Sequence, residues 1–195
     1  MKPSYSNPQR NLPTFQRLFE EAAVDSATIG GIAAIIRRAE PRETVDADFV
    51  VSELSDLEQR LNSISSRPVR ILTESDGTPY LIQGETSDGM HFDIYIAGTP
   101  FEQEVLATKD STGTASAEAI IVYKLIAERP QDIDDINSIL EKHPNLDGLD
   151  VTKIERWAKY SGVIDGWRKF ADRHQTQTLE PLPEPEIDEQ PEPGL

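Results

Sequence analysis

The hydrophobic periodicity of this chain changes near Pro100, and the change limits the folds that the chain can adopt. Before Pro100, the predicted helices cover residues 13–24, 32–40 and 52–64, and the predicted strands cover 49–51, 69–73, 80–83 and 91–96. After Pro100 only helical spacing follows, at residues 117–128, 133–140, 150–160 and 164–170. This order predicts an α+β fold, with a mixed sheet flanked by helices and a helical C-terminal half.

The 195 residues are enough for one or two compact domains. We expect a mixed core at residues 11–112 and a helical part at 113–173 that packs on it. Residues 1–10 are expected to be flexible. Residues 174–195 combine prolines with six acidic residues and no Lys or Arg. Such a composition predicts a disordered tail, which either binds a partner or is simply solvated.

Composition excludes several kinds of site. The chain has no cysteine and only three histidines, so disulfides, thiolate metal sites and cysteine nucleophiles are excluded, and a metal would be held by carboxylate oxygens. The formal net charge of −16 argues against broad binding of duplex DNA. No run of roughly 18 apolar residues occurs and the first residues lack a signal-peptide core, so we expect a soluble, cytoplasmic protein without a membrane segment.

Asp46 and Asp48 are the most informative polar residues. They are separated by one residue in a β-rich run, so both side chains project from one face of a strand. Like charges so placed repel each other unless a cation lies between them. Asp93 lies in the later run 91–96, on the face opposite its apolar residues. If the two strands pair, three carboxylates converge in an arrangement that suits Mg²⁺.

Gly30 and Gly31 come about 15 residues before the acids and directly precede a predicted helix. Glycine lets the backbone approach a ligand, and the first N–H groups of a helix favour anions. The combination predicts a phosphate-binding turn that faces a metal-binding acid cluster. Two ordinary interpretations stay open, because the glycines could form a simple turn and the aspartates could be the solvated face of a strand.

Two segments resemble motifs of the minimal nucleotidyltransferases. Residues 29–33 contain the Gly-Gly pair, and residues 42–51 contain Arg42-Glu43-Thr44-Val45-Asp46-Ala47-Asp48, which is similar to the family's Arg-x-Thr-x-Asp-x-Asp pattern. Residues 99–102 and 123–136 resemble the lysine and aspartate motifs of relatives that serve as abortive-infection toxins in toxin–antitoxin pairs. The resemblance covers about residues 15–160, with four motifs in the family's order.

The resemblance implies a nucleotidyltransferase fold with a magnesium site. It implies that Asp46 and Asp48 hold Mg²⁺, and that Asp93 acts as the base or as a third metal ligand. It also implies which residues bind the nucleotide: Gly30, Gly31, Arg42, Thr44 and Lys124. Asp132 and Asp135 would support the site.

Structural explanations compete with some of these roles. Lys124 could extend its ammonium group to water, and at least one of Asp132 and Asp135 could cap a helix. Arg42 could orient the turn or pair with the acid cluster. Trp157 and Trp167 are most simply the core of the helical half.

Two functions follow. The first is a magnesium-dependent nucleotidyltransferase that moves a nucleoside monophosphate from an NTP to an RNA (tRNA) end or a protein hydroxyl, within a toxin–antitoxin pair that supplies a cognate partner protein. A small basic patch of Arg37, Arg38 and Arg42 would contact the tRNA. The alternative is a catalytically degenerate binding module in such a pair, which the two arginines at the helix end, the acidic surface and the acidic tail favour. An unrelated α+β protein with chance motif matches is a third interpretation.

Overall fold

A computed structural model describes residues 8–40 and 42–176 of the chain. The α-helices and β-strands follow in this order: α1 Pro8–Glu21, β1 Ser26–Ile29, α2 Gly30–Arg37, β2 Asp46–Val51, α3 Leu57–Ile64, β3 Arg70–Thr73, β4 Pro79–Glu85, β5 His91–Ile96, α4 Pro100–Ala107, α5 Ala117–Ala127, α6 Pro130–Leu140, α7 Val151–Tyr160 and α8 Ile164–Thr176. A short 3₁₀ turn, Pro144–Leu146, separates α6 from α7.

The five strands form one mixed sheet in the order β1-β2-β5-β4-β3. The central strands β2 and β5 are parallel, and the other neighbouring pairs are antiparallel. Helices cover both faces, and only helices follow the last strand. The α+β fold with a mixed sheet and a helical C-terminal half is therefore confirmed.

One face of the sheet packs against α1 and α3. Ala47, Phe49 and Val51 alternate along β2 toward this face, as the period of two in a strand requires, and all three are buried. Phe15 of α1 packs on both strands, with its ring centroid 4.9 Å from that of Phe49 and 5.1 Å from that of Phe92. This aromatic cluster fixes how β2 and β5 sit against the first helix.

The opposite face packs against the helical half. Val50 of β2 joins a second apolar cluster with residues of α4, α5 and α7, and Trp157 and Trp167 are buried in it, which confirms their predicted core position. Helix α5 packs against α2, α6 and α7, so its sequence is apolar on nearly every side. Asp46 and Asp48 alternate with Val50, so they point toward this same helical side.

Two elements do not appear among the sequence-based predictions. The first is β1, whose last two residues, Thr28 and Ile29, fall in the predicted turn before α2. A strand of four residues is too short to show alternation, and its pairing with β2 defines it. Helix α4 begins with a capping box, in which Thr99 accepts from the Glu102 amide and the Glu102 side chain accepts from the Thr99 amide. That pattern was visible in the sequence and was attributed to a family motif.

The ends of the described residues are helical. Helix α1 begins at Pro8, inside the segment predicted to be flexible, and α8 continues to Thr176, inside the segment predicted to be a disordered tail. The remaining residues of those two segments, 1–7 and 177–195, lie outside the described residues, as does Pro41, which was predicted to end the second helix. Among the helices of residues 8–40 and 42–176, none has the length and apolar character that crossing a bilayer requires.

The first testable prediction concerns Gly84 on β4. A Cβ atom built there would lie 2.2 Å from Cζ of Phe92, whose ring is buried on the neighbouring strand. We expect Gly84→Ala to lower the free energy of unfolding by about 1–3 kcal/mol, measured by urea denaturation, because the core must shift to admit a methyl group.

Gly98→Ala is the matched control for Gly84→Ala. A Cβ atom at position 98 would come no closer than 3.9 Å to the backbone oxygen of Ile96. We expect this change to stay within about 0.5 kcal/mol of the wild type. Equal losses of unfolding free energy in the two variants would show that Phe92 does not prevent a larger side chain at position 84.

Candidate functional site

The three predicted acids lie on one face of two adjacent strands. In the parallel pair of β2 and β5, Asp46 is opposite His91 and Asp48 is opposite Asp93. Residues that are directly opposite in a sheet project to the same side, so the three carboxylates share the face toward the helical half. The structure thus brings together the acids that the sequence placed on separate strands.

Gly30 allows Asp48 to lie against the start of α2. Gly30 has a φ of +60°, and a Cβ atom there would lie 1.9 Å from Oδ2 of Asp48. The amide N–H of Gly31 donates to the same oxygen at 3.3 Å. A Cβ atom on Gly31 would lie 2.5 Å from Oγ1 of Thr44. Both glycines are therefore required by close packing, and the Gly31 amide predicted to bind phosphate is directed at Asp48.

The carboxyl group of Asp48 is electrostatically unusual. Burial raises its pKa to about 6, and the neighbouring charges of Asp93 and Asp46 add to the rise, while the Gly31 hydrogen bond and the charge of Lys124 oppose it. Low polarity and like charges both disfavour the ionised form. The neutral form of Asp48 therefore persists to a higher pH than in an exposed aspartate, mainly because the group is buried.

These acids line a polar cavity of about 410 Å³, which we name the acid cavity. Seven of the ten residues predicted for the site line it: Gly31, Arg42, Thr44, Asp46, Asp48, Asp93 and Lys124. Gly30 and Asp132 line a neighbouring cavity of about 380 Å³, described as the aromatic cavity because Phe101, Tyr123 and Tyr160 form part of its wall. Asp48, Tyr95, Lys124 and Arg129 belong to both cavities.

Lys124 is held by a buried ion-pair network. Its Nζ lies 2.7 Å from Oδ1 of Asp132 and 2.9 Å from Oδ2 of Asp135; the lysine side chain is 5% exposed and both carboxylates are 0% exposed. The interpretation that Lys124 extends into water is therefore wrong. Asp132 also accepts from the Arg129 amide, so it caps α6 as one interpretation held. Both aspartates lie next to Lys124.

Asp135 also binds two arginines from the segment before β2. Arg42 donates to both of its oxygens, from Nε at 2.7 Å and Nη2 at 2.8 Å, and Arg38 donates from Nη1 at 3.1 Å. Burial opposes the ionisation of Asp135, but the hydrogen bonds from Arg42 and Lys124 outweigh it and hold its pKa below the usual value. Arg42 pairs with this support residue and not with the three acids of the sheet.

The prediction that Arg37, Arg38 and Arg42 form a basic patch available to tRNA is wrong. Arg38 is buried and binds Asp134 and Asp135, and Arg42 is bound to Asp135. Arg37 donates to Asp110 at 2.6 Å and to the carbonyl oxygen of Ala115 at 2.9 Å. All three guanidinium groups are committed to contacts inside the protein, which spacing along the sequence could not show.

Three residues of the site escaped the sequence analysis. Gln83 on β4 is opposite Asp93 and donates from Nε2 to Oδ1 at 3.0 Å. The Asp88-Gly89 turn signal could have indicated that β4 and β5 form an antiparallel pair, which places Gln83 opposite Asp93. Tyr95 follows Asp93 on the same face of β5 and could have been found by alternation. Arg129, with a side chain 71% exposed and bound to Asp132, lies in the loop before α6 and had no pattern to mark it.

The donor set fits Mg²⁺ in its chemistry. Three carboxylates, whose hard oxygen donors are the kind that Mg²⁺ prefers, face one cavity. Among residues 8–40 and 42–176, no three His, Asp or Glu side chains already form a group that could hold a metal ion. Asp48 accepts from the Gly31 amide and Asp93 from the Gln83 side chain, each through one oxygen, so the second oxygen of each carboxylate can ligate a metal.

Gly30 provides the second prediction. We expect Gly30→Ala to lower the free energy of unfolding by at least about 1 kcal/mol more than Gly77→Ala, because a methyl group would displace the Asp48 side chain. Gly77 also has a positive φ, +88°, but a Cβ atom there would meet nothing within 4 Å. The control therefore carries the backbone strain without the collision, and equal urea midpoints would refute the prediction.

Asp135 provides the third prediction. We expect Asp135→Asn to lower the free energy of unfolding by about 3–5 kcal/mol at pH 7, because buried cations lose their counter-charge. Its folded pKa is depressed, so this contribution is complete above the unfolded value of about 4 and is lost as the pH falls below it. Urea denaturation between pH 7 and pH 3 measures both effects.

Asp134→Asn is the matched control for Asp135→Asn. Asp134 also binds Arg38, but its side chain is 66% exposed. An exposed pair contributes about 0–1 kcal/mol, so we expect a small loss of stability at pH 7. If the two neighbouring variants were equally stable, the buried network would not be the stabilising element inferred here.

No protein-family model and no curated protein sequence matches this chain. Solved structures do match. The solution structure of the antibiotic-resistance factor ANT(2″)-Ia has a TM-score of 0.55 and 17% identity, covering 87% of this chain and 100% of that one. The crystal structure of ANT(2″)-Ia in complex with adenylyl-2″-tobramycin has a TM-score of 0.54 and 17% identity, covering 80% and 98%.

An antigenic nucleotidyltransferase-like protein from Paracoccidioides brasiliensis has a TM-score of 0.48 and 16% identity, covering 87% of this chain and 93% of that one. The fold assignment rests on ANT(2″)-Ia, whose TM-scores are higher. The mixed sheet with flanking helices thus has the nucleotidyltransferase-like fold that the resemblance of the sequence motifs implied.

Proposed function

We propose that this protein transfers a nucleoside monophosphate from an NTP to a hydroxyl group, with Mg²⁺ as cofactor. The observation that carries the proposal is the register of β2 and β5, which sets Asp46, Asp48 and Asp93 on one cavity wall beside the glycine turn. Phosphoryl-type transfer depends on positioning and on neutralising charge more than on covalent catalysis. The glycine turn can position the triphosphate, and the carboxylates can hold the cation that neutralises its charge.

In this proposal one set of residues binds the triphosphate, and another residue activates the acceptor. Asp46 and Asp48 hold Mg²⁺, which when bound neutralises phosphate charge and polarises the phosphoryl oxygens. Gly30 and Gly31 admit the triphosphate to the N-terminus of α2, and Lys124 and Arg129 supply positive charge at the wall shared by the two cavities. Thr44 and Arg42 line the polar side of the same space.

Asp93 is the proposed general base. The acceptor oxygen forms a bond to the α-phosphorus, the bond from that phosphorus to the pyrophosphate oxygen breaks, and the acceptor proton passes to the Asp93 carboxylate. Gln83 holds that carboxylate at 3.0 Å and fixes its direction. The acceptor must therefore approach from the acid cavity, because Asp93 lines that cavity.

The proposed acceptor is an RNA (tRNA) end or a protein hydroxyl, within a toxin–antitoxin pair that provides a cognate partner. Because Arg37, Arg38 and Arg42 are paired with aspartates, an RNA acceptor would have to be contacted through other cations, such as the exposed Arg129. The match to ANT(2″)-Ia, solved with adenylyl-2″-tobramycin, adds tobramycin to the acceptors worth testing.

The fourth prediction tests catalysis. Asp46→Asn combined with Asp48→Asn should reduce label transfer from α-labelled NTPs to a tRNA pool, to a protein lysate or to tobramycin by at least about a thousandfold, because several kcal/mol of charge stabilisation is lost. Circular dichroism should show an unchanged fold. Asp165→Asn, at an exposed acid of α8, should retain full transfer.

Full magnesium-dependent transfer by the double variant would overturn the assignment. Retained transfer in EDTA would remove the magnesium role while leaving the fold assignment intact.

The second candidate function is a nucleotidyltransferase-like binding module without catalysis. The described residues contain no preformed group of three metal-ligating side chains, and the Gly31 amide is already bonded to Asp48; both observations favour it. A thermal-shift series with millimolar NTP, with and without Mg²⁺, separates the two functions, because ligand binding to the native state raises the melting temperature. No shift under any condition would favour the module.

A further inference from the structure

We infer that Arg70 binds a backbone phosphate of an RNA acceptor, which lies across β4 and β3 on the side of the sheet that carries Asp93. The inference rests on the proposed transferase function and deepens it, because it chooses among the acceptors which that function leaves open. Arg70 begins β3, the edge strand of the sheet, and it lines neither the acid cavity nor the aromatic cavity.

Arg70 lies on the same side of the sheet as the proposed base. It is opposite Gln83 in the antiparallel pair of β3 and β4, and Gln83 is opposite Asp93 in the pair of β4 and β5. Directly opposite residues project to the same side, as the hydrogen bond from Gln83 to Asp93 shows. Because neighbouring strands are about 4.8 Å apart, the Cα atoms of Arg70 and Asp93 are separated by about 10 Å.

This side of β3 and β4 is accessible to an acceptor. Ile71 and Ile82 alternate to the other side, where they join the apolar cluster that packs against α1 and α3. Among the described residues, none from β3 or β4 belongs to the apolar cluster of the helical half. An acceptor that leaves the acid cavity beside Asp93 can therefore continue over Gln83 to the exposed Arg70.

The guanidinium group of Arg70 is available to an anion. Within residues 8–40 and 42–176 it has neither a hydrogen bond nor an ion pair. The cations around the acid cavity differ, because Arg42, Lys124 and Arg129 are each bound to a buried aspartate. An arginine can bind a phosphate through two parallel hydrogen bonds, which are stronger than hydrogen bonds between neutral groups.

An RNA end matches this arrangement better than the other proposed acceptors. It presents a terminal hydroxyl for Asp93 and, because every nucleotide carries a phosphate, an anion further along the sheet for Arg70. Tobramycin carries amino groups and no phosphate, and a protein hydroxyl has no anion at a fixed distance. Leu72, Leu81 and Tyr95 form the adjoining row on the same side, where they can contact a base or a ribose.

The position of Arg70 on an edge strand has a second explanation, which Arg70→Glu tests. Charged side chains on edge strands prevent pairing with other chains. A glutamate keeps this protection but repels a phosphate. If the inference holds, Arg70→Glu stays monomeric to the same degree as the wild type in size-exclusion chromatography, yet binds RNA more weakly than Arg70→Gln.

The main experiment measures binding of a fluorescently labelled, single-stranded RNA decamer by anisotropy at several salt concentrations. We expect Arg70→Gln to raise the Kd about tenfold at low salt and to reduce the slope of log K against log salt by about 0.7, the value for one phosphate contact on a single strand. Arg70→Lys keeps the charge and should stay within about threefold of the wild type. The KM for the decamer in label transfer should rise by the same factors, with kcat little changed.

Arg10→Gln is the matched control. It removes the same charge from an exposed position of α1, which packs on the opposite side of the sheet, and should leave RNA binding unchanged. The melting-temperature shift caused by magnesium and NTP should match the wild type in every variant, because Arg70 lines neither cavity. The urea midpoint of each variant is measured first.

The outcomes separate this inference from the proposed function. If RNA is labelled but the Arg70 variants change neither its Kd nor its KM, the inference is overturned and the transferase stands. Label transfer to protein or tobramycin alone has the same meaning. If RNA binding depends on Arg70 but no acceptor is labelled, the RNA surface stands and catalysis fails. If the wild type neither binds RNA at low salt nor labels any acceptor, both are overturned.

Discussion

The parallel register of β2 with β5 is the constraint on which the candidate site depends. In this register Asp48 is opposite Asp93, and a slip of one residue would exchange the acidic and apolar faces of a strand. The register is held from the other side of the sheet, where Phe15 packs against both Phe49 and Phe92. The buried aromatic cluster beneath the sheet therefore fixes the positions of the acids above it.

The second organising feature is the charge network behind the acid cavity. Asp135 receives hydrogen bonds or ion pairs from Arg38, which directly follows α2, from Arg42 in the segment before β2, and from Lys124 of α5. One buried carboxylate thus joins the glycine-turn helix, the entry to the acidic strand and the helical half. Removing one member would leave charges buried without partners, so the network acts as a unit. In a chain with net charge −16, this network holds Arg38, Arg42 and Lys124 near the acid cavity.

The sequence analysis succeeded where the spacing of residues along the chain directly reflects the geometry of a strand or turn. Alternation along β2 and β5 correctly separated the acidic from the apolar side chains, and the glycine pair marked a position where a Cβ atom would collide with Asp48. It failed for β1, which is too short to show a period, and for Arg129, whose place at the site depends on how α6 packs. The arginines predicted as a free basic patch were misplaced for a related reason: their partner aspartates lie more than 70 residues away along the chain.

The sequence by itself determined the α+β class, the helical C-terminal half and the pairing of Asp46 with Asp48 on one strand face, because these follow from the periods of 2 and 3.6 residues in secondary structure. Only the tertiary structure decided that Asp93 joins them, that Lys124 is held by Asp132 and Asp135, and that an aromatic cavity adjoins the acids. Those relations depend on strand order and helix packing between segments far apart in the chain, which no local pattern specifies.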